Sequence, residues 1–522
     1  MAETRPTAQP QDGPPPDPSP SSRLRSSRGD PNRWWALVVI AGAQLMVVLD
    51  MTIVNIALPS AQADLGMTDG NRQWVITAYT LAFGGLLLLG GRITDLIGRK
   101  LAFCVGLLGF AAASALGGAA TGPGMLFGAR ALQGVFAALL APAALSLLAT
   151  TFTEPRERSR AFGVFGAIVG AGAAIGLLAG GFLTEYLDWR WCLYVNVPIA
   201  LAAFAGALVL LHGGRVMTDP HLDVPGAVLG CAGMLAIVYG FSEAESRSWD
   251  DALVLTLLIG GVALLALFGW WQSRARVPLL PISVVSDRQR VGAFLTILFV
   301  TVGMFGVFLF LTYYMQRVLG YSPVRTGVAY LPITAGMIVG STQIAARLLH
   351  RVPPRTLMVP GLVLAAGGLA IIAQVGTEPA YASHLLPGML MLGLGMGTAM
   401  MTSVSLATGS VAPQDAGAAS ATFNTAQQVG GSIGTALLNT IAASVTARYL
   451  TEHATPGADR RALASRAAVH GFNVATWWAV ASVLLAAVIA AVVVNAPRAP
   501  GAGDAVPAPG DVDDVKEKAV GD

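Results

Sequence analysis

Apolar residues recur along this chain in runs of twenty or so, each closed by a short polar break. A helix needs ~20 apolar residues to cross a bilayer. On that ruler the runs predict fourteen spans, near residues 34–59, 74–97, 101–120, 124–150, 161–187, 191–211, 225–242, 252–272, 290–313, 326–347, 357–375, 385–411, 416–445 and 472–494. Each span is expected to be helical, because backbone in lipid must satisfy its hydrogen bonds within its own segment. The predicted fold class is an all-α polytopic membrane protein. Residues 1–32 are rich in Pro, Ser, Asp and Arg, with no apolar stretch before Trp34, and read as a disordered tail rather than a signal peptide. Residues 496–522 read the same way.

Composition sharpens this picture. Only 12% of the 522 residues are charged and mean hydropathy is +0.63, against about 25% charge in soluble domains. Much of the surface is therefore expected to face membrane lipid. A net charge of +3 gives no basic footprint, so no nucleic-acid partner is expected. Cys104, Cys192 and Cys231 lie in or beside apolar runs, in a spacing that suggests neither a disulfide framework nor a metal site. The six histidines fall in loops or at span ends, and the chain has neither a Walker motif nor H-E-x-x-H. An enzyme, an ATP-driven pump, a metal and a cofactor are all unexpected, and a repeated channel filter is not found. A monomer is expected.

Charge asymmetry orients the spans. With a cytoplasmic N-terminus, 22 of the 32 Lys and Arg residues fall on the inner side, nine on the outer side, and Arg130 within the membrane. The bias predicts a multi-pass protein of the cell (inner or plasma) membrane with both termini cytoplasmic.

Two charges fall inside predicted spans. Asp50 sits deep in WWALVVIAGAQLMVVLDMTIVNIALP, and Arg130 begins R-x-x-Q-G in the fourth span. Ionised groups at such depth are costly, so they face a protein interior or a watery cavity and mark functional sites. Loss of hydration favours the neutral form of a carboxyl, which suits Asp50 to proton exchange, with Arg130 as an electrostatic neighbour. A structural hydrogen bond is the plainer reading for Asp50, and a fold-locking contact with backbone carbonyls for Arg130. After the second span comes GRITDLIGRK, in which Gly91 and Gly98 permit close approach and a turn, Asp95 accepts hydrogen bonds, and Arg99 and Lys100 hold the loop in the cytoplasm. In the fifth span Gly172, Gly176 and Gly180 repeat every four residues, and Gly181 follows. They form a smooth face against which another helix can rock.

Together these segments resemble the fourteen-span drug:proton antiporter branch of the major facilitator superfamily. GRITDLIGRK is similar to that family's loop motif, Arg130 to Gly134 to its fourth-span motif, and LDMTIVNIALP (49–59) to the first-span signature. WRWCLYVNVP (189–198), YYMQRVLGYSPVRTGVAYLP (313–332) and ATFNTAQQVGGSIGTALLNTI (421–441) extend the likeness, which covers roughly residues 34–495. One departure is Leu177, where the family's fifth-span motif has proline after glycine. Another is Arg347, which aligns where Asp95 sits in the first half.

The resemblance implies a six-helix bundle over residues 33–212, a linker with two extra helices over 213–273, and a second six-helix bundle over 274–495. It implies alternating access around a midplane site. Asp50 and Arg130 would couple protons. Gly91, Asp95, Gly98, Arg99, Lys100 and the fifth-span glycines would switch conformation, with Asp95 near Asp415 helping to hold the outward-open state. Candidate substrate contacts are Asn55, Tyr313, Tyr314, Gln316, Asn424 and Gln428, with Met46, Phe305 and Phe308 as apolar lining. The expected function is proton-driven efflux of small hydrophobic or cationic drugs or secondary metabolites; the alternative is a uniporter or importer of a small organic solute on the same fold.

Overall fold

The computed structural model describes residues 32–152, 154–211, 223–276, 278–280, 282–349, 351–377, 381–408, 416–454 and 459–495. These form fourteen long helical segments: α1 (Arg33–Leu65), α2 (Trp74–Ile97), α3 (Arg99–Gly118), α4 (Pro123–Thr151), α5 (Pro155–Tyr186), α6 (Trp191–Leu210, with a turn at Val195), α7 (Val224–Arg247), α8 (Ala252–Gln272), α9 (Arg288–Val318), α10 (Pro323–Leu348), α11 (Arg355–Ile372), α12 (Tyr381–Thr408), α13 (Ala416–His453) and α14 (Arg460–Val493). Twelve are long and apolar enough along their described residues to cross a bilayer, and α2 and α5 contribute the shorter apolar stretches Trp74–Leu87 and Ala174–Tyr186.

Several helices outrun the apolar pattern. The pattern ends the first span at Pro59, yet α1 continues to Leu65 with Pro59 inside it, stopping where Gly66 takes a left-handed φ of 66°. α13 reaches His453, and α14 starts at Arg460, twelve residues ahead of the expected 472. There Tyr449 of α13 packs on His470 of α14, with ring centroids 5.1 Å apart. Polar turns stay helical where a neighbouring helix supports them.

α1 to α6 and α9 to α14 make two bundles that share most of their internal pairing. In the first, α2 packs on α4, α1 on α5 and α6, and α3 on α4 and α6; in the second, α10 packs on α12, α9 on α13 and α14, and α11 on α12 and α14. An offset of eight helices maps one set onto the other, as a duplicated unit interrupted by α7 and α8 requires. The bundles meet along two seams, α2 with α13 and α5 with α10, which the same offset interchanges. α7 lies on the α2–α13 seam, where Cys231 Sγ bonds the Gly85 carbonyl (3.1 Å) and Thr440 Oγ1 the Phe241 carbonyl (2.9 Å). α8 rests on α7 and exposes apolar side chains such as Ile259 and Val262, the surface expected of a helix in lipid.

Arg33 and Val493 lie at one end of the bundles, here the terminal face; the α1–α2, α5–α6 and α9–α10 turns lie at the other, the far face.

Candidate functional site

Asp50 and Arg130 meet directly. Arg130 Nη1 donates to Asp50 Oδ2 at 2.6 Å, and the residues are 1% and 0% exposed. Two helices hold this α1 carboxylate: besides Arg130 from α4, Gln133 Nε2 on the next turn of α4 (3.0 Å) and Asn196 Nδ2 of α6 (2.7 Å) both donate to its Oδ1. Arg130 and Gln133 share a helix face by their spacing of three. Arg130 Nη1 also donates to Gln133 Oε1 (2.8 Å), its Nε donates to the Val75 carbonyl (2.9 Å), and its guanidinium lies 4.4 Å from the Tyr79 ring centre. Gln133 Nε2 reaches Ser114 Oγ of α3 as well (2.7 Å). Gly134 makes this possible, since a side chain there would run into the Tyr79 carbonyl on α2. A buried ion pair survives only when its remaining donors and acceptors are met, and here five helices meet them.

This network lies inside the N-terminal bundle, walled from the cleft between bundles. Direct competition between a cationic substrate and a proton at Asp50 does not fit that placement; coupling through Arg130 does. Asn196 lies in the family-like segment WRWCLYVNVP, but nothing in the sequence singled it out within that segment, and Ser114 carried no signal beyond being a polar residue in an apolar run.

The cleft is closed toward the far face. Asn439 Nδ2 donates to the Asp69 carbonyl and to Gln73 Oε1, both at 3.1 Å. One layer deeper Thr80 Oγ1 and Ser432 Oγ lie 2.7 Å apart, and deeper again Gly84 abuts Gln428. On the second seam Glu185 Oε2 accepts from the Val324 amide (2.9 Å), Gly181 faces the backbone at Pro323 and Val324, and Gly327 sits on the Leu177 carbonyl. α5 runs unbroken through Gly176-Leu177.

Gly172, Gly176 and Gly180 form the α1 seam: side chains there would meet Leu45 and Val48, Thr52, and Ile53 respectively. Gly98 has a φ of 93° between α2 and α3, a conformation open to glycine, whereas Gly91 has ordinary room. Lys100 Nζ donates to the Leu208 carbonyl (2.8 Å), and Arg99 Nε is buried at the terminal face. The Asp95 side chain and Asp415 lie outside the described residues.

The candidate substrate contacts divide. Tyr313 and Gln316 belong to the far seam: the Arg72 guanidinium lies 3.9 Å from the Tyr313 ring centre, and Gln316 Nε2 donates to the Ile56 carbonyl (3.0 Å). Tyr314 packs inside the C-terminal bundle, its hydroxyl on the Gly376 carbonyl (2.7 Å) and its ring stacked on Phe472. Met46 lies in the N-terminal core. Asn55 of α1 and Asn424 of α13 are half-buried, Gln428 packs on Gly84 in the α2–α13 seam, and Asn55 Oδ1 and Gln428 Nε2 are buried without hydrogen-bond partners.

The duplicated bundles, the paired seams and the charged network define a secondary-transporter architecture. Residues 40–435 match the Major Facilitator Superfamily, to which this chain belongs. It is 58% identical over 468 residues to a puromycin resistance protein of Streptomyces alboniger, covering 89% of this chain and 92% of the relative. It is 38% identical to the cephamycin export protein CmcT of Amycolatopsis lactamdurans, covering 79% and 85%. A tetracenomycin C resistance and export protein of Streptomyces glaucescens is 34% identical, covering 82% and 78%. Among solved structures, an inward-facing, unoccupied bacterial homolog of the human lysosomal transporter Spinster superposes with a TM-score of 0.63 at 16% identity, covering 89% of this chain and 97% of that one.

Proposed function

We propose that this protein exports amphipathic antibiotics or related secondary metabolites from the cell in exchange for protons. The Asp50–Arg130 pair carries this reading: the one carboxylate sealed among the described core residues of α1 is held by a cation and two amides. The relatives' names point to export and resistance, and at 58% identity puromycin is the first solute to test.

The terminal face is cytoplasmic on this reading and the membrane is the inner or plasma membrane, in keeping with the Lys and Arg excess there. The protein acts as a monomeric carrier without covalent chemistry. Protonation neutralises Asp50 and removes the anion from Arg130, which keeps the Val75 carbonyl and Gln133 Oε1 as acceptors. Neutralising Asp50 weakens the hold of α4 and α6 on α1, and α1 carries the glycine seam to α5, whose far end touches α10. Proton binding thereby shifts the balance between far-closed and far-open forms. Asn55 and Gln428, with unpartnered amide atoms, offer polar contacts to a solute in the cleft.

The test is puromycin and ethidium uptake into everted vesicles energised by a proton gradient. Uptake is expected to collapse with a protonophore and in Asp50→Asn. Gradient-driven uptake that survives Asp50→Asn rejects the coupling role, and uptake indifferent to the gradient favours a uniporter.

A further inference from the structure

A protonated Asp50 needs something that its carboxylate does not, a partner that accepts a hydrogen bond. The side chains that hold it are all donors to it. Arg130 has no acceptor atom. Gln133 has one, but its Oε1 already accepts from Arg130 Nη1 (2.8 Å), while its Nε2 serves both Asp50 Oδ1 and Ser114 Oγ. Turning that amide over would set its N–H groups against the guanidinium. An O–H buried without an acceptor loses its hydration and gains nothing in return, so a shell of donors alone would resist the proton.

Asn196 differs from both. Its Nδ2 donates to Asp50 Oδ1 at 2.7 Å, and its own Oδ1 is buried without a hydrogen-bond partner. The residue is fully buried, and an idle acceptor in a dry interior is costly. While Asp50 is an anion the N–H edge of this amide must face it, because a carbonyl oxygen there would be repelled. Once Asp50 carries a proton, the opposite edge fits. A half-turn about the Cβ–Cγ bond, a torsion with broad two-fold wells, exchanges the two edges. The only hydrogen bond it breaks is the one to Asp50. The 2.7 Å separation suits an N–H donating to a carboxylate and equally an acid O–H donating to a carbonyl oxygen.

We infer that Asn196 is a two-way amide switch that serves both protonation states of Asp50: Nδ2 donates to the carboxylate, and after the half-turn Oδ1 accepts from the acid. The inference rests on the proton-coupling reading above. In the loading step a solvent hydronium gives its proton to Asp50 Oδ1, one O–H bond forming as another breaks and a water leaving, and the carboxylate charge is cancelled. Oδ1 takes the proton because Oδ2 faces the Arg130 cation. The new O–H donates to Asn196 Oδ1, and Oδ2, now a carbonyl oxygen, is left to Arg130. The other titratable groups near Asp50 are Tyr79 of α2 and Cys192 of α6, and α3 presents the neutral Ser114. Cys192 Sγ is turned toward Thr184 Oγ1 and the Gly180 carbonyl of α5. The consequence is directional. α6 exchanges one hydrogen bond to α1 for another, whereas α4 loses the anion that held its cation. Protonation therefore loosens α4 from α1 more than it loosens α6. Asn196 is a positioning residue, and the proton stays on Asp50.

The test is infrared difference spectroscopy of the full chain in liposomes, stepped from high to low pH, with and without isotope-labelled asparagine carbonyls. Protonation of Asp50 adds an acid C=O band that Asp50→Asn lacks. When the amide turns over, its carbonyl passes from unpartnered to hydrogen-bonded in the same step. A label-sensitive pair of amide bands is therefore expected to titrate together with the acid band. The pair is expected to vanish in Asn196→Leu, and also in Asn196→Thr, a milder change that keeps a hydroxyl able to give and accept a hydrogen bond but has no amide. In Asn196→Leu the acid band is expected to shift as well, because its O–H has lost its acceptor. An acid band with no label-sensitive pair overturns the switch, and is the result expected if the Tyr79 hydroxyl is the acceptor instead. A pair that survives the loss of Asn196 overturns it too. If Asn196→Leu does not fold, the wild-type and Asn196→Thr spectra decide. Failure of the switch leaves the Asp50 acid band in place, whereas gradient-driven transport in Asp50→Asn fails the coupling reading beneath it.

Discussion

At the centre of the N-terminal bundle, Asp50, Arg130, Gln133, Asn196 and Ser114 are joined by hydrogen bonds of 2.6 to 3.0 Å. In the C-terminal bundle that space goes to rings. Phe310 meets Phe472 edge-on, Tyr314 stacks on Phe472, and Phe308 stacks on Tyr330. The polar atoms there are neutral: Tyr330 Oη donates to the Phe308 carbonyl and lies 2.8 Å from Thr312 Oγ1. Among the described residues, wide π-type turns occur in α9, α10 and α12 only, all in the C-terminal bundle. Closely similar helix pairing thus supports two kinds of interior. A buried ion pair demands fixed partners and responds to protons; stacked rings on loosened helices adjust shape without titrating. On the proton-exchange reading proposed above, the first half senses charge and the second accommodates shape.

The strongest way to break this contrast is Arg130→Ala. It strands a buried carboxylate, a change that costs about 3–5 kcal/mol, and is expected to lower the thermal midpoint in detergent and abolish transport. The double variant Asp50→Asn/Arg130→Met is expected to regain most stability yet remain uncoupled; a stable Arg130→Ala protein refutes the network's structural role. Next is Gly327→Val, which overpacks the Leu177 contact by about 1–3 kcal/mol. Spin labels on α5 and α10 should then report longer far-face distances, and unchanged distances disprove that seam's role in closure. Tyr330→Phe removes a neutral hydroxyl at a cost of about 1 kcal/mol. Its transport should keep the wild-type pH profile, and a shifted profile would place titration in the C-terminal bundle too. The smallest effect is expected from Arg72→Gln. Losing the cation–π contact with Tyr313, worth about 0.5–1 kcal/mol, should change turnover by roughly two- to fivefold, and no change in substrate counterflow would remove Arg72 from the gate.

Helix α5 shows where sequence reading stops. Its glycine stripe was legible because a repeat of four puts Gly172, Gly176 and Gly180 on one face, but the stripe's partner, α1, was not. Leu177, read as a departure from proline, is in the structure a buried seam residue whose carbonyl receives Gly327. Tyr313, Tyr314 and Gln316 looked alike as polar or aromatic residues near a span end; a one-residue step on a helix sends neighbours about 100° apart, so two became seam and one became core.

The chain's own pattern determined that this is an all-helical membrane protein, the order of its long helices and the cost of hiding Asp50 and Arg130, because apolar run length and intramembrane charge are local properties that lipid reads directly. Tertiary structure decided that Asn196 and Ser114 complete the site and that the carboxylate faces the bundle interior. Those depend on the rotation and depth at which residues up to 146 positions apart in the chain meet, and no run of letters encodes that angle.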